Sequence, residues 1–79
     1  MSLARLRRGQ SALISSIDVS GADAAMLRAM GLVEGERVCM LRVAPFGGPC
    51  QVRVGTAAFA LDRALAGLVA VSPVEDEVA

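Results

Sequence analysis

The stretch RVCMLRVAPFGGPCQVRV (residues 37–54) decides the fold class, because it places two strand patterns on either side of a turn. Residues 37–44 are rich in strand formers and carry apolar side chains on both faces, which indicates burial on both sides. Residues 50–54 alternate between apolar and polar side chains, the period of a half-buried strand. The PFGGP segment between them consists of turn residues around Phe46. The stretch therefore predicts a β-hairpin that carries Phe46 at its tip.

The rest of the chain predicts further short elements around this hairpin. Strand patterns occupy residues 10–17, 57–61 and 68–72. Residues 22–30 are good helix formers that follow Ser20 and end at Gly31, and Asp62 can cap a helical turn over residues 63–66. This order predicts a mainly β fold: a small SH3-like barrel of about five strands, with one short α-helix after the first strand and a helical turn before the last. The core is predicted to include Ile14, Val52, Phe59, Leu61 and Val71.

The 79 residues allow one domain, 1–79, with a core of about 6–72 and a flexible tail over 73–79. The hydrophobic fraction is 54% and the mean hydropathy is +0.56, which is high for a soluble protein of this size. No uncharged apolar run is long enough to cross a bilayer, and no apolar core of a signal peptide follows the N-terminus. We therefore expect a cytoplasmic protein without direct membrane insertion. The apolar excess then favours an oligomer or a domain that docks on a partner.

Charge and residue types exclude several function classes. Eight arginines balance eight acidic residues, and a net charge of zero gives no field for nucleic acid. Charge is concentrated in RLRR (residues 5–8) and EDE (residues 75–77), which we interpret as solvated, frayed ends. The chain has no histidine, lysine or tyrosine, so no catalytic residue is predicted and an enzyme is not expected. The FGGP turn lacks the lysine and the following helix of a phosphate-binding loop, so no cofactor is predicted.

The two cysteines do not predict a metal site. A closed site needs about four ligands, and only acidic residues could supply the others. If the hairpin is centred near Gly47, Cys50 faces Ala44 and Cys39 faces Gly55. The two thiols are then several residues out of register, so we interpret them as structural cysteines.

Four motifs, taken in order, resemble the FeoA family of small bacterial proteins associated with ferrous iron transport. They are LRRGQSALI, LRAMGLVEGERV, RVAPFGGPCQVRV and FALDRALAGLVAV, and together they span residues 6–71. Asp62 departs from this pattern, because the family often has a basic residue there, and so does Gly48, where an acidic residue is frequent.

The resemblance implies a cytosolic SH3-like barrel without enzymatic activity. It also implies a role beside FeoB, a membrane permease with a cytosolic GTP-binding domain. The same fold occurs as the C-terminal domain of iron-dependent repressors. The alternative function is therefore a ligand- or metal-sensing regulatory module.

A partner-binding surface is the predicted site. Its candidate residues are Pro45, Phe46, Gly47 and Gly48 at the hairpin tip, and Met26 and Met30 on one face of the helix. Methionine suits adaptable contact surfaces, but both methionines could instead pack in the core beneath the helix. Phe46 could equally fold back onto its own hairpin. Weak self-association through sheet edges or the apolar hairpin also stays open.

Overall fold

The computed structural model describes residues 1–74. The acidic run at residues 75–77 and most of the predicted tail lie outside the described residues. The elements are a 3-10 helix Leu3–Arg5, β1 Ser11–Ile17, α1 Gly21–Ala29, β2 Arg37–Val43, β3 Cys50–Val54, β4 Ala57–Leu61, α2 Arg63–Ala66 and β5 Val69–Pro73. The predicted strands, helix and helical turn are therefore confirmed in type and order, with ends that differ by at most one residue.

The five strands form one antiparallel sheet in the order β4-β3-β2-β1-β5. Bulges interrupt β1 between Ile14 and Ser16 and β2 between Met40 and Arg42, and bulges of this kind increase the twist of a sheet. Within residues 1–74 no ladder joins β4 to β5, so the sheet is not closed into the predicted barrel. The mainly β, five-stranded architecture is as predicted.

The hairpin of β2 and β3 has a different register from the predicted one. Val43 lies opposite Cys50 near the tip, and Cys39 lies opposite Arg53 beyond the bulge. The predicted partners, Ala44 for Cys50 and Gly55 for Cys39, were therefore wrong. The turn is centred half a residue earlier than expected, and Leu41 is the extra residue of the bulge.

The core lies on one face of the sheet and is closed by side chains from the helices and connections. Of the predicted core residues, Ile14, Val52, Leu61 and Val71 are buried. Phe59 is half-buried and packs against the core from its edge. Its position on β4 explains the difference, because among residues 1–74 no further strand covers the outer side of β4.

The two helices end as the sequence suggests, but α1 buries a different residue. Gly31 follows α1 with φ of +92°, a conformation that glycine adopts without steric cost. Leu27 is fully buried, whereas Met26 is exposed. Asp62 caps α2, because its Oδ1 accepts a hydrogen bond of 3.2 Å from the Ala64 N–H. No helix in the described part of the chain has the length and apolarity to span a membrane.

The N-terminal segment packs against the domain, so the expectation of a frayed end was wrong there. Leu3 and Leu6 are both buried in the core. Ser2 forms an isolated bridge with Ala70, and the Val71 N–H donates to the carbonyl of Met1 at 2.8 Å. These two leucines explain the packing, since their burial stabilises a segment whose arginines stay in solvent.

Candidate functional site

The tip of the β2–β3 hairpin is a tight turn. The Gly48 N–H donates to the Pro45 carbonyl at 3.2 Å, and the Ala44 N–H donates to the Pro49 carbonyl at 3.2 Å. The two central residues both have positive φ, +58° at Phe46 and +75° at Gly47. That combination defines a type I′ turn, which favours asparagine, aspartate or glycine at its first central position. Phe46 occupies that position against its own backbone preference.

The Phe46 side chain is fully exposed, with a relative accessibility of 103%. It does not fold back onto its own hairpin, which was one of the two alternatives that the sequence left open. Phe46 is also the only non-glycine residue with positive φ among residues 1–74. A large apolar ring thus stands in solvent on a backbone conformation that costs about 1–2 kcal/mol for an ordinary residue. Backbone strain without a packing gain in the monomer is typical of functional positions.

Gly48 is required for a steric reason rather than a conformational one. A Cβ at this position would lie 2.8 Å from Cβ of Ala44, inside van der Waals contact, and 3.3 Å from the Pro45 carbonyl oxygen. A side chain here would push the two arms of the turn apart. The acidic residue that is frequent at this place in the family resemblance is therefore incompatible with this turn unless the turn shifts.

The two candidate methionines of α1 have different environments. Met26 is 39% exposed, and Met30 is half-buried and packs against the core. The buried contact beneath the helix comes from Leu27 instead. Met26 is thus available to a partner. Met30 packs in part against the core, which was the alternative that the sequence left open for both methionines.

The tip and the end of α1 lie at opposite ends of the hairpin. A Cβ at Gly31, directly after Met30, would lie 3.6 Å from Cγ1 of Val54. Val54 is the last residue of β3, and Cys50 at the other end leads to the tip. The rise from Cys50 to Val54 is four residue steps, about 13 Å at about 3.3 Å per residue. The structure therefore does not bring Phe46 and Met30 into one patch.

The two cysteines are separate from each other. Cys50 is buried in the core and lies between Val43 and Leu61, its partners on the neighbouring strands. Cys39 is half-buried, and both thiols are free. Among residues 1–74, no group of three or more cysteine, aspartate or glutamate residues is placed to hold a metal ion.

A cleft of about 360 Å³ next to α1 was not foreseen from the sequence. Its lining residues are Ile17, Val19, Ala24, Arg28, Leu32, Val33 and Glu34. The apolar residues that flank the helix pattern, Ile17 and Val19 before it and Leu32 and Val33 after it, could have indicated such a cleft. One cationic and one anionic side chain, Arg28 and Glu34, line its otherwise apolar wall.

Comparison with known proteins matches residues 1–73 to the model of the FeoA domain family. No curated protein sequence matches the chain. Among solved structures, FeoA from Stenotrophomonas maltophilia, determined in complex with zinc and named a prokaryotic SH3 domain protein, is 38% identical with a TM-score of 0.77. That match covers 91% of this chain and 89% of the other. The likeness confirms the predicted SH3-like fold.

Two further structures are similar over nearly the whole chain. Iron(II) transport protein A from Clostridium thermocellum is 36% identical with a TM-score of 0.89, over 94% of this chain and 46% of that one. The present chain thus spans less than half the length of that protein. FeoA from Chlorobium tepidum is 30% identical with a TM-score of 0.88, over 99% of this chain and 75% of the other. A manganese-dependent transcriptional repressor matches at 20% identity and a TM-score of 0.84, which shows a shared fold alone.

Proposed function

The chain belongs to the FeoA family, and from that membership we propose that it is a non-enzymatic, cytosolic accessory protein of bacterial ferrous iron transport. Its partner is the cytosolic GTP-binding part of an FeoB-like permease, which it binds or regulates. The single structural observation that supports docking on a partner is Phe46, which is fully exposed on a left-handed backbone at the hairpin tip. Both iron(II) transport protein A and FeoA relatives share this fold over more than nine-tenths of the chain.

Phe46 has the properties of an anchor residue at an interface. Burying a phenylalanine side chain stabilises a complex by about 1.5–3 kcal/mol, and aromatic anchors are frequent among residues that dominate binding. The turn holds the backbone of Phe46 through the Gly48-to-Pro45 hydrogen bond. A fixed backbone reduces the conformational entropy that is lost when the ring enters a pocket.

Met26 provides a second, separate surface for the same partner. It is exposed on α1, the helix after which Gly31 lies next to Val54, at the end of the hairpin opposite to Phe46. An unbranched thioether adapts to irregular contact surfaces. We propose that Phe46 carries the larger share of the affinity, because more of its apolar area is free in the monomer.

The test is a titration of the purified cytosolic domain of the cognate permease with wild type and with Phe46→Ala. We expect the variant to bind at least about tenfold more weakly, which corresponds to about 1.4 kcal/mol. Leu13→Ala is the matched control, because Leu13 is also a large apolar residue, 42% exposed, but lies on β1 away from the tip. Circular dichroism verifies that both variants are folded.

Two outcomes would contradict the proposal, and they are distinguishable. If wild type does not bind the cytosolic domain, this domain is not the partner. If wild type and Phe46→Ala bind the domain equally well, the partner is correct but Phe46 is not part of the contact.

The regulatory alternative, a ligand- or metal-sensing module related to the C-terminal domain of iron-dependent repressors, is supported by the fold alone. A calorimetric titration with ferrous ion discriminates it from the accessory role. Stoichiometric binding of ferrous ion by wild type, without binding to the permease domain, would favour the regulatory module.

A further inference from the structure

The outer edge of β4 presents backbone hydrogen-bonding groups to solvent. Gly55 and Thr56 connect β3 to β4, and Gly55 has φ of +61° whereas Thr56 does not have positive φ. This is the pattern of a two-residue type II′ hairpin, in which the flanking pair, Val54 and Ala57, exchanges hydrogen bonds. Bonding then alternates along β4, so Phe59 and Leu61 also bond to β3. The N–H and C=O groups of Ala58 and Ala60 point away from the sheet.

These outward groups have no backbone partner within residues 1–74. The opposite edge of the sheet differs, because Ser2 forms a bridge with Ala70 and the Val71 N–H donates to Met1. Proline also ends β5. Within residues 1–74, the N-terminal segment thus covers one edge of the sheet, and β4 is left open.

β4 lacks the devices that keep open edges from pairing. Its sequence, AAFAL, has no charged residue and no proline, and its ladder with β3 runs without a bulge. The side chains of Ala58 and Ala60 are exposed and small, so they do not obstruct a second strand. Natural proteins usually protect such an edge with lysine, proline or a bulge.

We propose that two copies of this chain pair antiparallel along β4, about a two-fold axis at Phe59. In that register Ala58 of each copy exchanges hydrogen bonds with Ala60 of the other, so all four outward-facing residues of the dimer are paired. Each Phe59 then faces its symmetry mate in a non-hydrogen-bonded pair, where Cα atoms are about 4.5 Å apart. The half-buried ring of the monomer gains a neighbour on its open side.

A second copy is the occupant that this geometry favours because the strand complements itself. A two-fold axis at Phe59 places Ala58 of each copy opposite Ala60 of the other. Both copies therefore contribute the same surface, as an isologous interface requires. The register also places Arg53 of one copy in the same cross-strand row as Gln51 of the other. No like charges face each other across the new pair of strands.

The first test compares Ala60→Pro with Ala60→Val by sedimentation at several protein concentrations. Proline removes the outward N–H of residue 60 without removing a bond to β3, whereas valine keeps it. We expect wild type and Ala60→Val to dimerise and the dissociation constant of Ala60→Pro to rise at least about tenfold. Wild type that stays monomeric up to about 1 mM, or a dimer that Ala60→Pro leaves unchanged while still folded, would overturn the proposal.

Cysteine crosslinking tests the register in a second way. In a Cys39→Ser background, Phe59→Cys places two thiols within the Cα separation that a disulfide needs, about 4.4–6.8 Å. Ala58→Cys is the matched control, because its symmetry mate lies about 7–8 Å away on a diagonal. We expect mild oxidation to crosslink Phe59→Cys and not Ala58→Cys. The reverse pattern, or no crosslink in either variant, would contradict the two-fold axis at Phe59.

Discussion

Phe46→Asn should stabilise the folded protein, although phenylalanine is the larger and more apolar residue. The backbone at position 46 has φ of +58°, which costs an ordinary residue about 1–2 kcal/mol. Asparagine tolerates this conformation and, with Gly47, creates the Asn-Gly pair that type I′ turns favour. The ring is fully exposed, so its removal forfeits no burial in the monomer. We expect a net gain of about 0.5–1 kcal/mol in the free energy of unfolding.

Phe46→Ala separates the contribution of the ring from that of the backbone strain, because alanine removes the ring and keeps a Cβ on the strained backbone. Its free energy of unfolding should stay within about 0.5 kcal/mol of wild type. Urea unfolding measures both variants, and thermal unfolding should show a rise of about 2–8 °C for Phe46→Asn in a domain of this size. A clear loss of stability in Phe46→Ala would show that the ring packs on its own hairpin. If Phe46→Asn has the same stability as wild type in both measurements, the inference of backbone strain at position 46 is wrong.

Three further substitutions test how the fold supports the tip and the helices. Gly48→Ala should lower the free energy of unfolding, measured in urea, by about 1–3 kcal/mol, since its Cβ would lie 2.8 Å from Cβ of Ala44. The double variant with Ala44→Gly should regain most of this stability, because it removes the second Cβ. Leu27→Ala should lower the free energy of unfolding by about 2–5 kcal/mol, whereas Met26→Ala should lower it by less than about 0.5; equal effects would contradict the assignment of the buried face of α1. Asp62→Ala should lower the free energy of unfolding by about 1 kcal/mol through loss of the α2 cap, measured in urea, and Asp62→Asn should retain most of the stability of wild type.

The type and order of the elements could be predicted because each has a strong local signal. The alternation of residues 50–54 predicted β3 with its observed bounds, and Gly31 and Asp62 predicted the end of α1 and the cap of α2. The hairpin register could not be predicted, because the turn is centred half a residue earlier than expected and the bulge at Leu41, which has no local sequence signal, shifts the pairing beyond it by one more residue. The packed N-terminal segment was also missed, since the three arginines of residues 5–8 favoured a solvated end, whereas Leu3 and Leu6 show no strand or helix pattern.

The sequence supplied the candidate residues of the site but not their arrangement in the fold, and their role stays a prediction. Phe46 was identified because it is a large apolar residue between turn formers, but its exposure follows from the type I′ geometry, which sequence alone leaves open. Met26 and Met30 share a helix face in the sequence pattern. Their different burial depends on the rotation of α1 about its own axis, which the buried side chain of Leu27 fixes. Whether either surface contacts the permease stays a prediction.

The measurement that tests the central claim most directly is the affinity of Phe46→Asn for the cytosolic domain of the cognate permease, taken beside its stability. If the left-handed Phe46 is kept for docking, the variant should unfold at a higher temperature than wild type and bind at least about tenfold more weakly. A variant that is more stable and binds as tightly as wild type would contradict the account.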